Sequence, residues 1–392
     1  MLKQFLKKFL IVFLELVILV GVFLFVAQKK GIQIFPSSEQ VLGKRQLPPF
    51  PELKQPVSKT YSWSYKNQKY QLSLVLDKAA YEYYHTLPKE YSYIGSLPTN
   101  WENQYYGMFL AQNSSDNTIN DVTEKLGELG RKSSLDDNQL VELVLSFVQS
   151  ITYDDSKANN ILAKKGNETM QYSYETLFVQ SGVCSDKSLL AYSILKKMGY
   201  GVEILAFEQD NHMAIAIQCP ASYANYKDGY CYAETTSVGN KIGIIPSFDK
   251  NSNKTVDISQ LANFDSNDQQ QLNIAELGVV TEYQKSRGRE YTGIIETKKI
   301  ENEIQKSSAT IASLMVSNKN QKAQVDNEEA ALNSLKSMLE NYKKSGKIDK
   351  YNENVPKYNS MLEKYKKDVE NFNKNVSLYN KTVARYNELI TQ

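Results

Sequence analysis

The sequence predicts an α+β protein, with a transmembrane helix ahead of the α+β domain and an antiparallel helical hairpin behind it. Three observations carry this. An amphipathic helix pattern and a second helix headed by Cys184 precede three strand-like runs, "GVEILAF", "HMAIAIQC" and "GYCYAETT". Phe9 to Ala27 is an apolar run near the N-terminus. Bulky residues recur every seven positions in the C-terminal segment. Helices first and antiparallel-looking strands afterwards mark α+β rather than alternating α/β order. The expected units are 1–30, a signal anchor; 31–60, a linker; 61–296, the α+β domain; and 297–392, the hairpin or coiled coil.

The apolar run is broken by one acid, Glu15. As a helix it spans about 28 Å at about 1.5 Å per residue, close to a bilayer's hydrocarbon core. It leads into Gln28-Lys29-Lys30 without a small-x-small cleavage site, so it reads as an uncleaved anchor. Lys3, Lys7 and Lys8 precede it, and Lys29, Lys30, Lys44 and Arg45 follow. The basic residues are nearly balanced across the span, and the short basic tail favours export. The expectation is a single-pass cell-membrane protein with its globular part outside the cytoplasm.

The linker contains Pro36, Pro48, Pro49, Pro51 and Pro56, which suits a semi-extended spacer. "YSWSYKNQKYQLSLVL" alternates around Lys66-Asn67-Gln68 and predicts a β-hairpin. Leu140, Val144, Phe147, Val148 and Ile151 fall on one helical face, with Ser134 and Asp137 as the expected cap. Leu189, Leu190, Ile194, Leu195 and Met198 give the Cys184 helix its apolar face, and Gly201 is its expected stop.

From Thr297 onward there is one Gly and one Pro. Tyr351, Tyr358, Tyr365, Phe372, Tyr379 and Tyr386 recur every seven residues, followed four later by Val355, Leu362, Val369, Val376, Val383 and Ile390. Ile304, Ile311, Asn318, Val325, Leu332 and Leu339 repeat likewise. "KSGKID" between the two patterns predicts the turn, and Pro356 the start of the second helix. Successive Tyr residues fit poorly in a tight parallel dimer, which favours an intrachain antiparallel pair. This hairpin is either a solvated structural element or an arm that binds a protein partner.

Lys and Arg total 46 against 44 Asp and Glu. That balance excludes nucleic acid as the main partner. Two distant histidines and no Cys-x-x-Cys pair fall short of a metal site, and no phosphate or dinucleotide loop is present, so no cofactor is expected.

Cys184 stands where unpaired helix N–H groups and the macrodipole favour a thiolate, with Gly182 allowing a tight turn before it. The same N–H groups could hold an oxyanion. The histidines are His85, in a polar loop-like context, and His212, which opens an apolar strand and is the candidate base. If the next strand pairs with it, Glu234 can hold Nδ1–H and leave Nε2 to the thiol. With His212 directly opposite Glu234, Cys219 and Cys231 would be offset by about four residues, or about 13 Å at about 3.3 Å per residue. That is beyond disulfide reach, so both are expected to be free.

"YSYETLFVQSGVCSDKSLLAYSILKKMGYGVEILAF", "NHMAIAI" and "YCYAETTSVGNKIGIIP" together resemble the transglutaminase-like fold of the papain-like superfamily, in its microbial branch. The likeness runs from about Tyr61 to Phe248. It implies an antiparallel central sheet with a nucleophile-bearing helix, and a catalytic Cys184, His212 and Glu234. Gly182 and Asp186 also match, whereas Val183 and Ser185 stand where relatives carry acids. The implied activity is cleavage or transfer of amide bonds in a protein or peptide substrate at the cell envelope, through a thioester. The alternative is a surface-anchored scaffold that keeps the fold and uses domain and hairpin for binding.

Overall fold

A computed structural model describes residues 47–249, 254–256 and 274–390. The expected signal anchor and most of the linker lie outside the described residues. Among the described residues, no helix is long and apolar enough to cross a membrane.

Strands β1 (Pro56–Tyr65) and β2 (Gln68–Asp77) form the expected hairpin. Its turn is Lys66-Asn67, both at positive φ, the two-residue geometry whose twist matches the strands. The hairpin begins at Pro56, inside the segment read as linker. Tyr61, Trp63, Tyr70, Leu72, Leu74 and Leu76 alternate inward, the period-2 pattern of a half-buried ribbon.

Helices α1 (Lys78–Thr86), α2 (Trp101–Phe109), α3 (Thr118–Lys132) and α4 (Asp137–Ser150) follow. His85 lies in the last turn of α1 rather than in a loop, and its Nδ1 meets Glu175 Oε1 at 2.9 Å. The cap of α4 is Asp136, not Ser134. Asp136 accepts from the Gln139 N–H, and Gln139 reaches back to the Asp136 N–H, a reciprocal capping box. Ser134 is at φ +54, which suits the preceding turn. Trp63 on the hairpin donates to Ser146 Oγ on α4 at 3.1 Å, and Trp63 and Tyr61 both pack on Phe147.

After the short strand β3 (Thr152–Tyr153) come α5 (Asp155–Leu162), α6 (Ser173–Val179) and β4 (Ser181–Gly182), which pairs in parallel with β3. Helix α7 (Cys184–Lys197) then runs through the core. Leu189, Leu190, Ile194 and Leu195 are essentially fully buried, as are the polar Asp186, Lys187 and Ser188. The helix ends on Gly199 at φ +89, the left-handed cap that glycine supplies, rather than at Gly201.

One face of a four-stranded antiparallel sheet packs on α7. Its order is β11-β5-β6-β7, from β5 (Val202–Phe207), β6 (His212–Gln218), β7 (Tyr230–Ala233) and β11 (Thr281–Tyr283). Leu205, Phe207, Ala214, Ala216, Tyr230 and Tyr232 form a second apolar cluster on the other face. β8 (Ser247–Asp249), β9 (Lys254–Val256) and β10 (Ile274–Ala275) make a small separate sheet.

The β6–β7 register corrects the expectation for the cysteines. Ile215 pairs with Ala233 and Ile217 with Cys231, a slip of two residues from direct His212–Glu234 opposition. Such a slip keeps every side chain on its expected face. It also halves the offset between the two cysteines. Cys219 then leaves the strand ahead of Pro220, its N–H on Gly229 O at 2.8 Å. Cys219 and Cys231 form a buried disulfide with Cα atoms 5.9 Å apart, and Cys184 is the free cysteine.

The last two helices are α8 (Ile294–Lys344) and α9 (Ile348–Ile390). Gly346, at φ +69, makes the turn in the expected "KSGKID". The pair is antiparallel and intrachain: Glu303 meets Arg385, Gln321 meets Asn375, and Glu328 meets Lys364. The Tyr and Val stripe of α9 is half-buried along the seam. Ile390 is 47% exposed while Leu389 is buried, so the heptad drifts by one at its end. Pro356 lies inside α9 rather than at its start, and its ring removes one i→i−4 hydrogen bond.

Candidate active site

Cys184 is the first residue of α7, and the chain reaches it in extended conformation through Val183. Asp186, two residues on and fully buried, fixes that approach. Its Oδ2 accepts from the Val183 N–H at 3.0 Å and from Lys157 Nζ at 2.7 Å, and its Oδ1 accepts from the Gln171 N–H at 2.7 Å. Burial pushes the Asp186 carboxyl up, against the opposing pull of Lys157 and the two N–H donors. Gly182 serves packing rather than a turn. A Cβ there would stand 2.8 Å from Asp186 Cβ.

The base arrives on the next sheet element. Asn211, in the left-handed region at φ +47, turns the chain into β6, whose first residue is His212. His212 is 6% exposed, and Cys184 8%. Cys184 Sγ lies 3.8 Å from Asn211 O. The imidazole hydrogen-bonds both Cys184 and Glu234. Its Nε2 is 3.0 Å from Glu234 Oε2. Nδ1 is therefore the nitrogen left for the thiol, the reverse of the sequence expectation. Glu234 lies just past the end of β7, at Ala233, rather than on the strand opposite His212.

Glu234 is fully buried and accepts five hydrogen bonds. Oε2 takes His212 Nε2 and the Tyr232 hydroxyl at 2.6 Å. Oε1 takes the Thr235 N–H, the Thr236 N–H and the Thr236 hydroxyl at 2.9, 2.8 and 2.7 Å. Burial alone would raise this carboxyl, but the His212 charge and the hydrogen bonds hold it well below the usual carboxylate range. Burial alone would depress His212, yet the Glu234 charge and the Cys184 contact hold it above the usual imidazole range. The buried pair is thus a carboxylate and an imidazolium.

The structure brings Cys184, His212 and Glu234 together, and it keeps His85 apart, on Glu175. Sequence reasoning did not find four further residues at the site. Tyr232 and Thr236 hold the acid. Gln149 donates to Glu234 O at 2.9 Å and Asn240 O at 3.1 Å. Tyr153 feels the charges of both Cys184 and Glu234, and burial pushes its phenol up. One signal was present for Gln149: it follows Phe147 and Val148 on an otherwise apolar helix end. Among the described residues, no group of three His, Cys, Asp or Glu could hold a metal ion.

Residues 117–224 match the family model of a transglutaminase-like domain. No curated protein and no solved structure matches the chain. The matched segment contains Cys184 and His212 and ends ahead of Glu234. This segment of the chain is therefore transglutaminase-like.

Proposed function

We propose that this transglutaminase-like domain is a cysteine enzyme that cleaves or transfers amide bonds of proteins or peptides, held at the cell envelope by the N-terminal segment. The observation that carries this reading is His212, bridging the Cys184 thiol and a buried, ionised Glu234. A nucleophile needs a base, and the base needs an orienting group; this chain supplies them in one hydrogen-bonded line. The antiparallel sheet carrying base and acid, packed on the nucleophile helix, supports the papain-like arrangement.

In the reaction, the thiolate that Cys184 Sγ becomes when its proton sits on His212 Nδ1 attacks the amide carbonyl carbon. The first N–H groups of α7, which have no acceptor within the helix, face the developing oxyanion. The C–N bond breaks, the leaving amine takes the proton from His212, and an acyl thioester remains on Cys184. Water or a second amine then gives a proton to His212 and attacks the thioester carbonyl. The C–S bond breaks, releasing a carboxylic acid or a new amide, and the Cys184 thiolate and His212 imidazolium are restored. The buried disulfide supports an oxidising compartment for the domain. The apolar run at 9–27 supports membrane anchoring.

The test is alkylation by iodoacetamide. Wild-type Cys184 should react at least about tenfold faster than free cysteine near about pH 6.5, and His212→Ala should abolish the excess. An ordinary rate, unchanged by His212→Ala, would sink the enzyme reading. Mass spectrometry of envelope proteins incubated with wild type and Cys184→Ala then reports the substrate.

A further inference from the structure

Lys187 lies one turn beyond Cys184 on α7 and is fully buried. Three backbone carbonyls receive its ammonium: Gln149 O at 3.0 Å, Ile151 O at 2.8 Å and Thr236 O at 3.4 Å. The first two belong to the end of α4 and the step into β3, and the third to the loop just after Glu234. The next residue, Ser188, hydrogen-bonds Met213 O at 3.1 Å, beside the base, and Thr235 Oγ1 at 2.9 Å, beside the acid. Consecutive residues of the nucleophile helix thus grip both strand ends that carry its partners.

Carbonyls alone would satisfy the donors of Lys187 without neutralising its charge, and an ammonium taken out of water costs several kcal/mol. Burial accordingly pulls Lys187 down to about 8, while Glu234 and Cys184 attract its proton back. A neutral donor would bond the same carbonyls without that cost, so the charge itself needs a use. When the thiol has given its proton to His212, two anions, on Cys184 and Glu234, face two cations, on His212 and Lys187. We infer that Lys187 is a positioning residue whose positive charge balances the Cys184 thiolate while its ammonium pins the acid loop to the nucleophile helix.

This inference rests on the reading of Cys184 as nucleophile. The charged partners that Lys187 feels are Glu234 on the acid loop and Cys184 on its own helix, and those two also act on His212 of β6 and Tyr153 of β3. Glu234 stays charged, His212 stays cationic and Tyr153 stays neutral across the neutral to mildly alkaline range. Lys187, pulled down to about 8, loses its charge within that range.

The experiment measures iodoacetamide rates on the full-length protein in detergent at about pH 6.5 and about pH 9. Lys187→Met should be about tenfold slower at the lower pH and within about twofold of wild type at the higher, where Lys187 has lost its proton. An equal loss at both values would make Lys187 merely structural and overturn the inference. So would a fast wild-type thiol matched by Lys187→Met at both. A wild-type thiol no faster than free cysteine overturns the enzyme reading and this inference with it. If Lys187→Met does not fold, wild type alone decides. Its ratio of iodoacetate to iodoacetamide rates should fall about threefold between the two pH values as the cation is lost, and a flat ratio overturns the inference.

Discussion

Glu234 holds His212 through Nε2, at 3.0 Å, and so turns Nδ1 toward Cys184. The nitrogen available for proton transfer is set by this bond and by the four others that keep Glu234 ionised and immobile.

Glu234→Gln removes the anion and keeps the shape. The Cys184 alkylation rate near neutral pH should fall at least about tenfold, and turnover on an amide substrate by on the order of 10³–10⁴. Tyr232→Phe removes one of the five bonds and should cost only about two- to threefold in alkylation. Equal effects of the two substitutions would show that the charge on Glu234 is not what orients the ring.

The same pair makes stability depend on pH. Glu234 is depressed to about 2 from 4.5, so its contribution is present above about 4.5 and is lost as pH falls through about 2. His212 is raised to about 10 from 6.5, so its contribution is complete below about 6.5 and is lost as pH rises through about 10. Wild type should therefore melt highest between these limits. Glu234→Gln should flatten the profile on both sides, as circular dichroism melts will report.

Lys157 and Asp186 form a buried ion pair at 2.7 Å. Lys157→Met leaves the buried carboxylate without its cation, and urea unfolding should show a loss of about 3–5 kcal/mol. A loss below about 1 kcal/mol would mean that the Val183 and Gln171 N–H groups satisfy Asp186 alone.

The disulfide closes a loop with a separation of 12 residues. Replacing Cys219 and Cys231 by Ser should cost about 3 kcal/mol, read as a drop in melting temperature. Denatured, unreduced protein should titrate one thiol per chain, on Cys184, and a count of three would contradict the bridge.

The helix bearing Cys184, the strand opened by His212, the acid after the third strand and the long C-terminal hairpin were all legible, because each leaves a periodicity or a punctuation in the chain. The β6–β7 register was not. A slip of two residues preserves the inside–outside pattern, so hydrophobicity cannot detect it, yet it halves the offset between Cys219 and Cys231 and so permits the disulfide. Lys187 and Gln149 were missed for a different reason. Polar residues read as solvent-facing unless something reveals the backbone carbonyls that receive them, and those carbonyls come from segments distant in sequence. Asp136 prevailed over Ser134 as a cap because Gln139 completes the reciprocal bond only with the former.

The hairpin has a mechanical consequence. Ile294, fully buried in the domain, roots α8, a helix of 51 residues that ends at Lys344, close to Gly346. At about 1.5 Å per residue this is a strut of about 75 Å, longer than the width of about 45 Å expected for a compact domain of this size. A force applied at the tip therefore acts on the domain through a lever about 75 Å long rooted at Ile294.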